Sequence, residues 1–238
     1  MKTIFHPHDS RGHANHGWLN SHHSFSFANY FNAQKMNFGL LRVLNDDTVA
    51  PGMGFGTHPH ENMEIISIPI SGDLRHRDSM GNEKTIKEGE IQVMSAGSGV
   101  THSEFNPNKE KEVKFLQIWV IPNERDVTPR YDQQQLPDFD QKNVLHQVLS
   151  PSADDAGVWI HQNAWFHMGR FDVSEGAHYQ WKSDNNGLYA FVLEGGFELG
   201  EHQLGRRDAL GIWDTNTISL KATSPESRIL LIEVPLGN

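Results

Sequence analysis

Four residues in two short pairs have the types and spacing to hold a divalent metal ion. The first pair lies in Thr57-His58-Pro59-His60-Glu61-Asn62-Met63-Glu64, the second in Val100-Thr101-His102-Ser103-Glu104. On an extended strand, residues two apart point to the same face. His58 and His60 therefore project side by side, as do His102 and Glu104, and two neighbouring strands could bring both pairs into one cavity. Three neutral imidazoles and one carboxylate suit a borderline first-row divalent metal. Four protein donors leave one or two positions open on a five- or six-coordinate ion, as a catalytic metal requires. An isolated His-x-His pair is a weak signal, because most such imidazoles are surface groups or hydrogen-bonded core groups. The second pair, at hairpin-scale separation, gives the first its weight. Strand parity also admits Glu64 as the carboxylate donor, so spacing alone leaves Glu64 and Glu104 both open.

The elements that must position these groups read as strands. The apolar segments are short and rich in β-branched and aromatic residues, as in 39–44, 63–70, 113–121, 188–193 and 229–234. Turn signals separate them, among them Ser79-Met80-Gly81-Asn82, Ala96-Gly97-Ser98-Gly99, Asn185-Asn186-Gly187 and Glu194-Gly195-Gly196. Short strands with Gly-rich turns indicate an all-β sandwich or barrel. Several runs are apolar at both parities, which predicts strands buried on both faces. Extended helical periodicity is scarce.

A loose internal repeat suggests two similar halves. Ser71-Gly72-Asp73-Leu74 followed by Gly89-Glu90-Ile91-Gln92-Val93-Met94 parallels Glu194-Gly195-Gly196-Phe197 followed by Arg207-Asp208-Ala209-Leu210-Gly211-Ile212. Aligning Gly72 with Gly195 sets Trp181 and Ser183 opposite His58 and His60. Aligning Gly89 with Arg207 sets Leu220 and Ala222 opposite His102 and Glu104. None of these four is a good metal ligand, so the second half is expected to lack a metal site. Residues 122–141, with Pro129, Pro137 and the Gln133-Gln134-Gln135 run, read as a linker. The expected division is a metal-binding domain over 1–132, then linker and second domain over 133–238.

Composition narrows the function. The chain has 238 residues, a formal net charge of -10 and 15 histidines. Such acidity argues against direct nucleic-acid binding, and nothing basic and amphipathic points to a membrane surface. Cysteine is absent, which excludes disulfides, thiolate metal sites and Cys nucleophiles. No apolar run suggests a signal peptide or a membrane span, so a cytoplasmic location is expected. His6, His8, His13, His16, His22 and His23 are spaced too irregularly for one site. His161, His167, His178 and His202 are scattered without pair spacing. Phe25 and Phe27 share parity and are expected to face a core; with Tyr30 and Phe31 they could alternatively form a lid.

Gly52, His58, His60 and Glu64 are spaced as in the first cupin motif, and Gly89, Gly97, His102 and Asn106 as in the second. Ser95 stands where that pattern usually has proline, and Gly72 falls one residue late. The closer resemblance is to the pirin family. It rests on Arg11-Gly12-His13-Ala14-Asn15-His16-Gly17-Trp18-Leu19, His23-Ser24-Phe25-Ser26-Phe27, residues 54–60, Asp78-Ser79-Met80-Gly81-Asn82 and residues 94–104. It is strong over 8–132 and diffuse beyond, and is especially near to bacterial pirin-like proteins with quercetin 2,3-dioxygenase activity. The resemblance implies two cupin β-barrel domains in tandem, a bicupin. It implies one divalent transition metal per chain, held by His58, His60, His102 and Glu104 rather than Glu64. Iron(II) is the first expectation, with nickel, cobalt, copper, manganese or zinc as alternatives. It further implies a dioxygenase that cleaves a flavonol with release of carbon monoxide, Glu104 acting as base. The implied partners are dioxygen and a small aromatic substrate. The alternatives are an oxygenase of another aromatic compound and a metal-dependent sensor that binds a protein partner.

Overall fold

The computed structural model describes residues 1–137 and 141–237. Its strands are β1 (Lys2–His6), β2 (Gly12–Asn15), β3 (Leu19–His23), β4 (Leu41–Val49), β5 (Gly54–His60), β6 (Glu64–Ser71), β7 (Leu74–Asp78) and β8 (Glu83–Ile86). They continue with β9 (Glu90–Ser95), β10 (Val100–Phe105), β11 (Val113–Val120), β12 (Arg130–Gln135), β13 (Val144–Ser150), β14 (Val158–Trp159) and β15 (Trp165–Phe171). The last are β16 (Gly176–Gln180), β17 (Asn186–Glu194), β18 (Phe197–Leu199), β19 (His202–Leu204), β20 (Ala209–Trp213), β21 (Thr217–Ala222) and β22 (Ser227–Pro235). A single 3₁₀ turn, His8–Ser10, is the one helical element among the described residues. Among them no helix is long and apolar enough to cross a membrane.

The chain forms two compact units. The N-terminal unit comprises Gly12–Leu136 and Val158–Gln162; the C-terminal unit comprises Met1–Arg11, Pro137–Gly157 and Asn163–Asn238. In the N-terminal unit one sheet runs β12-β9-β6-β11-β4-β3-β2 and the other β5-β10-β7-β8. In the C-terminal unit the corresponding orders are β1-β20-β17-β22-β15-β13 and β16-β21-β18-β19. Six strands of the larger sheet and all four of the smaller correspond in order, β2 alone lacking a counterpart within the C-terminal unit, so the loose repeat in the sequence reflects a duplicated architecture. Gly72 and Gly195, aligned on sequence, both turn through left-handed backbone (φ 78° and 72°). Gly89 and Arg207 do likewise, at 85° and 68°. Left-handed backbone costs any residue with a Cβ. Arg207 is held there by backbone pairing with Val192 and by its guanidinium, which donates to the Leu193 carbonyl.

The matching also shows where the linear reading of the domains departs from the structure. β1 occupies in the C-terminal unit the edge place that β12 occupies in the N-terminal one, pairing with β20 as β12 pairs with β9. Residues 1–11 thus belong with the second half, and a boundary at 132/133 does not separate the units. The expected linker 122–141 contains a strand. Its Gln133-Gln134-Gln135 run lies in β12, where Gln133 donates to Glu90 and to the Thr85 carbonyl. Residues 138–140 of that segment lie outside the described residues.

The central strands are buried on both faces, as their apolar runs at both parities predicted. β17 is buried from Asn186 to Leu193. The prolines sit where a missing N–H is tolerated. Pro59 is on β5, an edge strand. Pro69 lies past the last β6–β9 pair, beside a register shift in the β6–β11 ladder.

The approach of β5 to β10 depends on Gly54. A Cβ there would lie 2.3 Å from the Glu104 carbonyl oxygen and from Phe105. A Cβ at Gly56, on the same strand, would meet nothing within 4 Å. Gly54→Ala is therefore expected to destabilise the fold by about 1–3 kcal/mol, the usual cost of overpacking. Gly56→Ala is expected to stay within about 0.5 kcal/mol of the parent. Urea unfolding midpoints of the two variants check this, and equal midpoints would refute it.

Candidate metal centre

β10 lies between β5 and β7, and its register sets the site. His102 is the Cα partner of His58 on one side and of Asp78 on the other. The three imidazoles of His58, His60 and His102 pack as a triangle, with ring centroids 4.8, 4.5 and 4.9 Å apart. His58 Nδ1 lies 2.8 Å from the Gly56 carbonyl. A carbonyl only accepts, so Nδ1 carries the proton and Nε2 presents a lone pair. That Nε2 is 3.0 Å from Nε2 of His102. His60 Nε2 is buried with no hydrogen-bond partner, and an orphan of this kind calls for an explanation.

These nitrogens fit one ion. At metal–nitrogen bonds of about 2.1 Å, two ligands at a right angle stand about 3.0 Å apart, and tetrahedral ones about 3.4 Å. The three histidines form one of two groups of ligand-type atoms among the described residues; the other is His76, His102 and Glu104. His102 belongs to both.

Glu104 is fully buried, and the β5–β10 register shifts between it and His102. Ser67 Oγ donates to its Oε1 at 2.9 Å, and Gln117 Nε2 to its Oε2 at 2.8 Å. A carboxylate has about four lone-pair sites, so each oxygen keeps one for a further partner. Glu64, also buried, lies in neither group. Ser95, at the position where the cupin pattern has proline, uses its hydroxyl to donate to Glu64 Oε2 at 2.7 Å. Burial pushes the Glu64 carboxyl up to about 7, against that hydrogen bond.

Sequence reading missed His76, Asp78 and Tyr131. His76 is fully buried, its Nε2 2.9 Å from Asp78 Oδ2 and its ring 5.4 Å from that of His102. Tyr131 on β12 covers its other side at 4.8 Å. The signal was present, since His76-x-Asp78 repeats the alternation of the other two pairs. Burial alone would raise Asp78, but hydrogen bonds from His76 and Asn82 outweigh it and hold the carboxyl below its ordinary value. The Met80 and Asn82 amides also donate to Asp78, which explains what the Asp78–Asn82 turn is for.

One opening reaches the cluster, and a second is bordered by Gln117, which donates to Glu104. An open depression of about 550 Å³ reaches His60 between Pro59, Glu61, Ser79 and Thr101. A more enclosed cavity of about 360 Å³ has Phe27, Tyr30, Phe55, Asp47 and Gln117 in its wall. Of the expected cavity residues, Phe55 takes part. Met53 is 44% exposed, and Ile66 and Met94 are packed in the core. Phe25 is buried as expected, whereas Phe27 lines the cavity and Phe31 is 74% exposed.

The N-terminal histidines disperse. His6 meets Tyr189 at 2.9 Å and His8 contacts Asp208 in the C-terminal unit, while His13 stacks on His22 in the N-terminal unit. Neither ligand group includes any of them, nor any residue of the C-terminal unit. There, Trp181, Leu220 and Ala222 join Phe171, Tyr179 and Phe197 in a continuous apolar core.

The two barrels, one lined with imidazoles and one with an apolar core, are cupin domains in tandem. Comparison with known proteins agrees. Residues 5–120 match the family described as Pirin, and residues 147–234 match the quercetinase C-terminal cupin domain. A quercetin 2,3-dioxygenase of Escherichia coli K12 is 41% identical over 227 residues, covering 95% of this chain and 96% of that one. A pirin-like protein of Caulobacter vibrioides is 36% identical over 94% of this chain and 97% of its own. The crystal structure of the E. coli bacterial pirin YhhW in complex with nickel(II) superposes with a TM-score of 0.92. It is 38% identical and covers 98% of this chain and 99% of that one. The chain belongs to the pirin family.

The electrostatics yield a pH prediction for metal-free protein. Burial, then repulsion from neighbouring imidazoles, lowers His102 to about 3 and His60 to about 4. Unfolded, both titrate near their ordinary value of about 6.5. The unfolded chain therefore binds more protons than the folded one below that value. The contribution of these two groups to stability is complete above about pH 6.5 and falls as pH drops toward their folded values. Histidine NMR titration of metal-free protein should place both midpoints below pH 5. Midpoints near 6.5 would contradict the packing described.

Proposed function

We propose that this protein is a metal-dependent dioxygenase that cleaves a flavonol such as quercetin, releasing carbon monoxide and leaving a depside. One observation carries the metal assignment: three imidazole nitrogens converge, and the buried His60 Nε2 among them has no partner. His58, His60 and His102 are the assigned ligands, with Glu104 as the fourth. The names of the relatives support the reaction class, and the nickel complex of the E. coli pirin supports a divalent metal. Iron(II) is our first assignment for this chain, with nickel, cobalt, copper, manganese and zinc as the other candidates.

The bound metal would supply Lewis acidity, making a coordinated hydroxyl easier to deprotonate. The remaining work falls to the chain. His58 keeps its Nε2 available because Gly56 fixes the other nitrogen, a device common to metal-binding imidazoles. Glu104 would take the flavonol 3-hydroxyl proton, on a lone pair left free by the single hydrogen bonds from Ser67 and Gln117. Trp119, edge-on to His60 at 4.9 Å, and Phe27, edge-on to Trp119 at 5.4 Å, keep water from that side of the cluster.

The test is oxygen uptake with quercetin, with carbon monoxide detected in parallel, for protein reconstituted with each metal in turn. One carbon monoxide per oxygen consumed, lost in His58→Ala, is the expected result. No turnover in protein holding one ion per chain would overturn it in favour of a metal-dependent sensor. Glu104→Gln should lower turnover about 100-fold or more while metal content falls much less. If Glu64→Ala strips the metal and Glu104→Gln does not, the fourth ligand is Glu64.

A further inference from the structure

The enclosed cavity of the N-terminal unit contains a carboxylate that the metal centre does not use. Asp47, on β4, is 2% exposed and lines the cavity. Ser21 donates to its Oδ1, and no cation pairs with it among the described residues. Burial pushes its carboxyl up to about 7, against the Ser21 hydrogen bond. A buried carboxyl with so little hydrogen bonding is costly, and a bound donor offsets that cost.

Three residues tie this cavity to the metal cluster. Gln117 lines it and donates to Glu104. Phe55 lines it and is the Cα partner of Glu104. Phe27 lines it and packs on Trp119, which packs on His60. Phe27, Tyr30 and Phe55 offer aromatic walls to a flat ring. The volume of about 360 Å³ lies within the range of small-molecule pockets. The loop carrying Phe27 and Tyr30 is built for its place. Ala28 is left-handed (φ 48°), and Gly12 lies so close beneath the Tyr30 ring that a Cβ would reach 2.3 Å from it. Strain of this kind gathers at ligand sites.

We propose that this cavity holds the part of the aromatic substrate remote from the metal, and that Asp47, oriented by Ser21, selects a substrate bearing a hydroxyl group there. The assignment rests on the dioxygenase reading above and gives it a substrate class: polyhydroxylated flavonols in preference to bare ones.

The experiment compares quercetin with 3-hydroxyflavone, which keeps the 3-hydroxyl but lacks the others. Turnover is followed in metal-reconstituted enzyme. Binding is read separately, by quenching of tryptophan fluorescence in nickel-loaded protein under argon. The parent is expected to prefer quercetin at least tenfold in kcat/KM and in affinity. Asp47→Ala should bring that preference near one by raising KM for quercetin, leaving 3-hydroxyflavone little changed and metal content intact. Ser21→Ala should lie between. Should Asp47→Ala fail to fold, Ala14→Phe decides: it fills the cavity from β2, where Ala14 is partly exposed, and should weaken both compounds tenfold or more. A preference unchanged by Asp47→Ala, or binding unaffected by Ala14→Phe, overturns the assignment. Absent turnover with Asp47-dependent binding overturns the reaction and leaves the cavity assignment standing.

Discussion

His58 and His102 place two imidazole nitrogens 3.0 Å apart inside a β-barrel, and the N-terminal unit is organised around that approach. The two partners are fixed by different means. β10 is paired on both sides, so two ladders set the position of His102. β5 is an edge strand with pairing on one side only. His58 compensates with a local hydrogen bond to Gly56, two residues back. Pro59 between the two β5 histidines also fits an edge, since it has no donor to offer a further strand. Gly54 lets β5 lie close enough to β10 for the rings to meet.

Charge distribution around the cluster points the same way. Asp47, Glu64, Asp78 and Glu104 are all buried in this unit, while His60 and His102 are held neutral by burial and repulsion from neighbouring imidazoles. Isolated buried anions are strongly unfavourable. Asp78 is relieved by hydrogen bonds from His76 and Asn82, and Glu64 by Ser95 and Arg130. Glu104 has two neutral donors, Ser67 and Gln117. A divalent cation among the imidazoles would supply positive charge beside Glu104, which shares a ligand group with His102.

What the sequence revealed follows from how local each signal is. The pairing of His58 with His60 and of His102 with Glu104 is strand alternation, a property of adjacent residues, and it was legible directly. The alignment of Gly89 with Arg207 was legible because both turns use left-handed backbone, although only one of the two residues advertises it. His76 obeys the same alternation but was hidden by its partner: an Asp two residues on reads as a surface pair until β7 is known to pack against β10. The placement of β1 was not legible at all. Its partner β20 lies about 200 residues away, and no local pattern encodes pairing at that distance. For the same reason β12 read as linker, since a polar edge strand with Pro on both sides carries no apolar alternation.

The duplication sharpens the meaning of the polar barrel. Both units use the same strand order, so the same scaffold accepts either filling. In the C-terminal unit, Phe171, Tyr179, Trp181 and Phe197 occupy the interior. Its buried Glu233 is satisfied by the Tyr179 hydroxyl, the Asn186 amide and backbone N–H groups. Each large apolar side chain so buried contributes about 1.5–3 kcal/mol. The N-terminal unit forgoes part of that burial at the positions of its imidazoles, Gln117, Asp47 and the cavity they border. It recovers stability from separate apolar clusters, one around Phe115 and Leu74 and one around Ile65 and Met94. A cavity bordered by the buried Asp47 and Gln117, in a fold whose twin fills its interior with Phe171, Tyr179, Trp181 and Phe197, is apolar burial forgone, and that loss is the physical argument for a ligand.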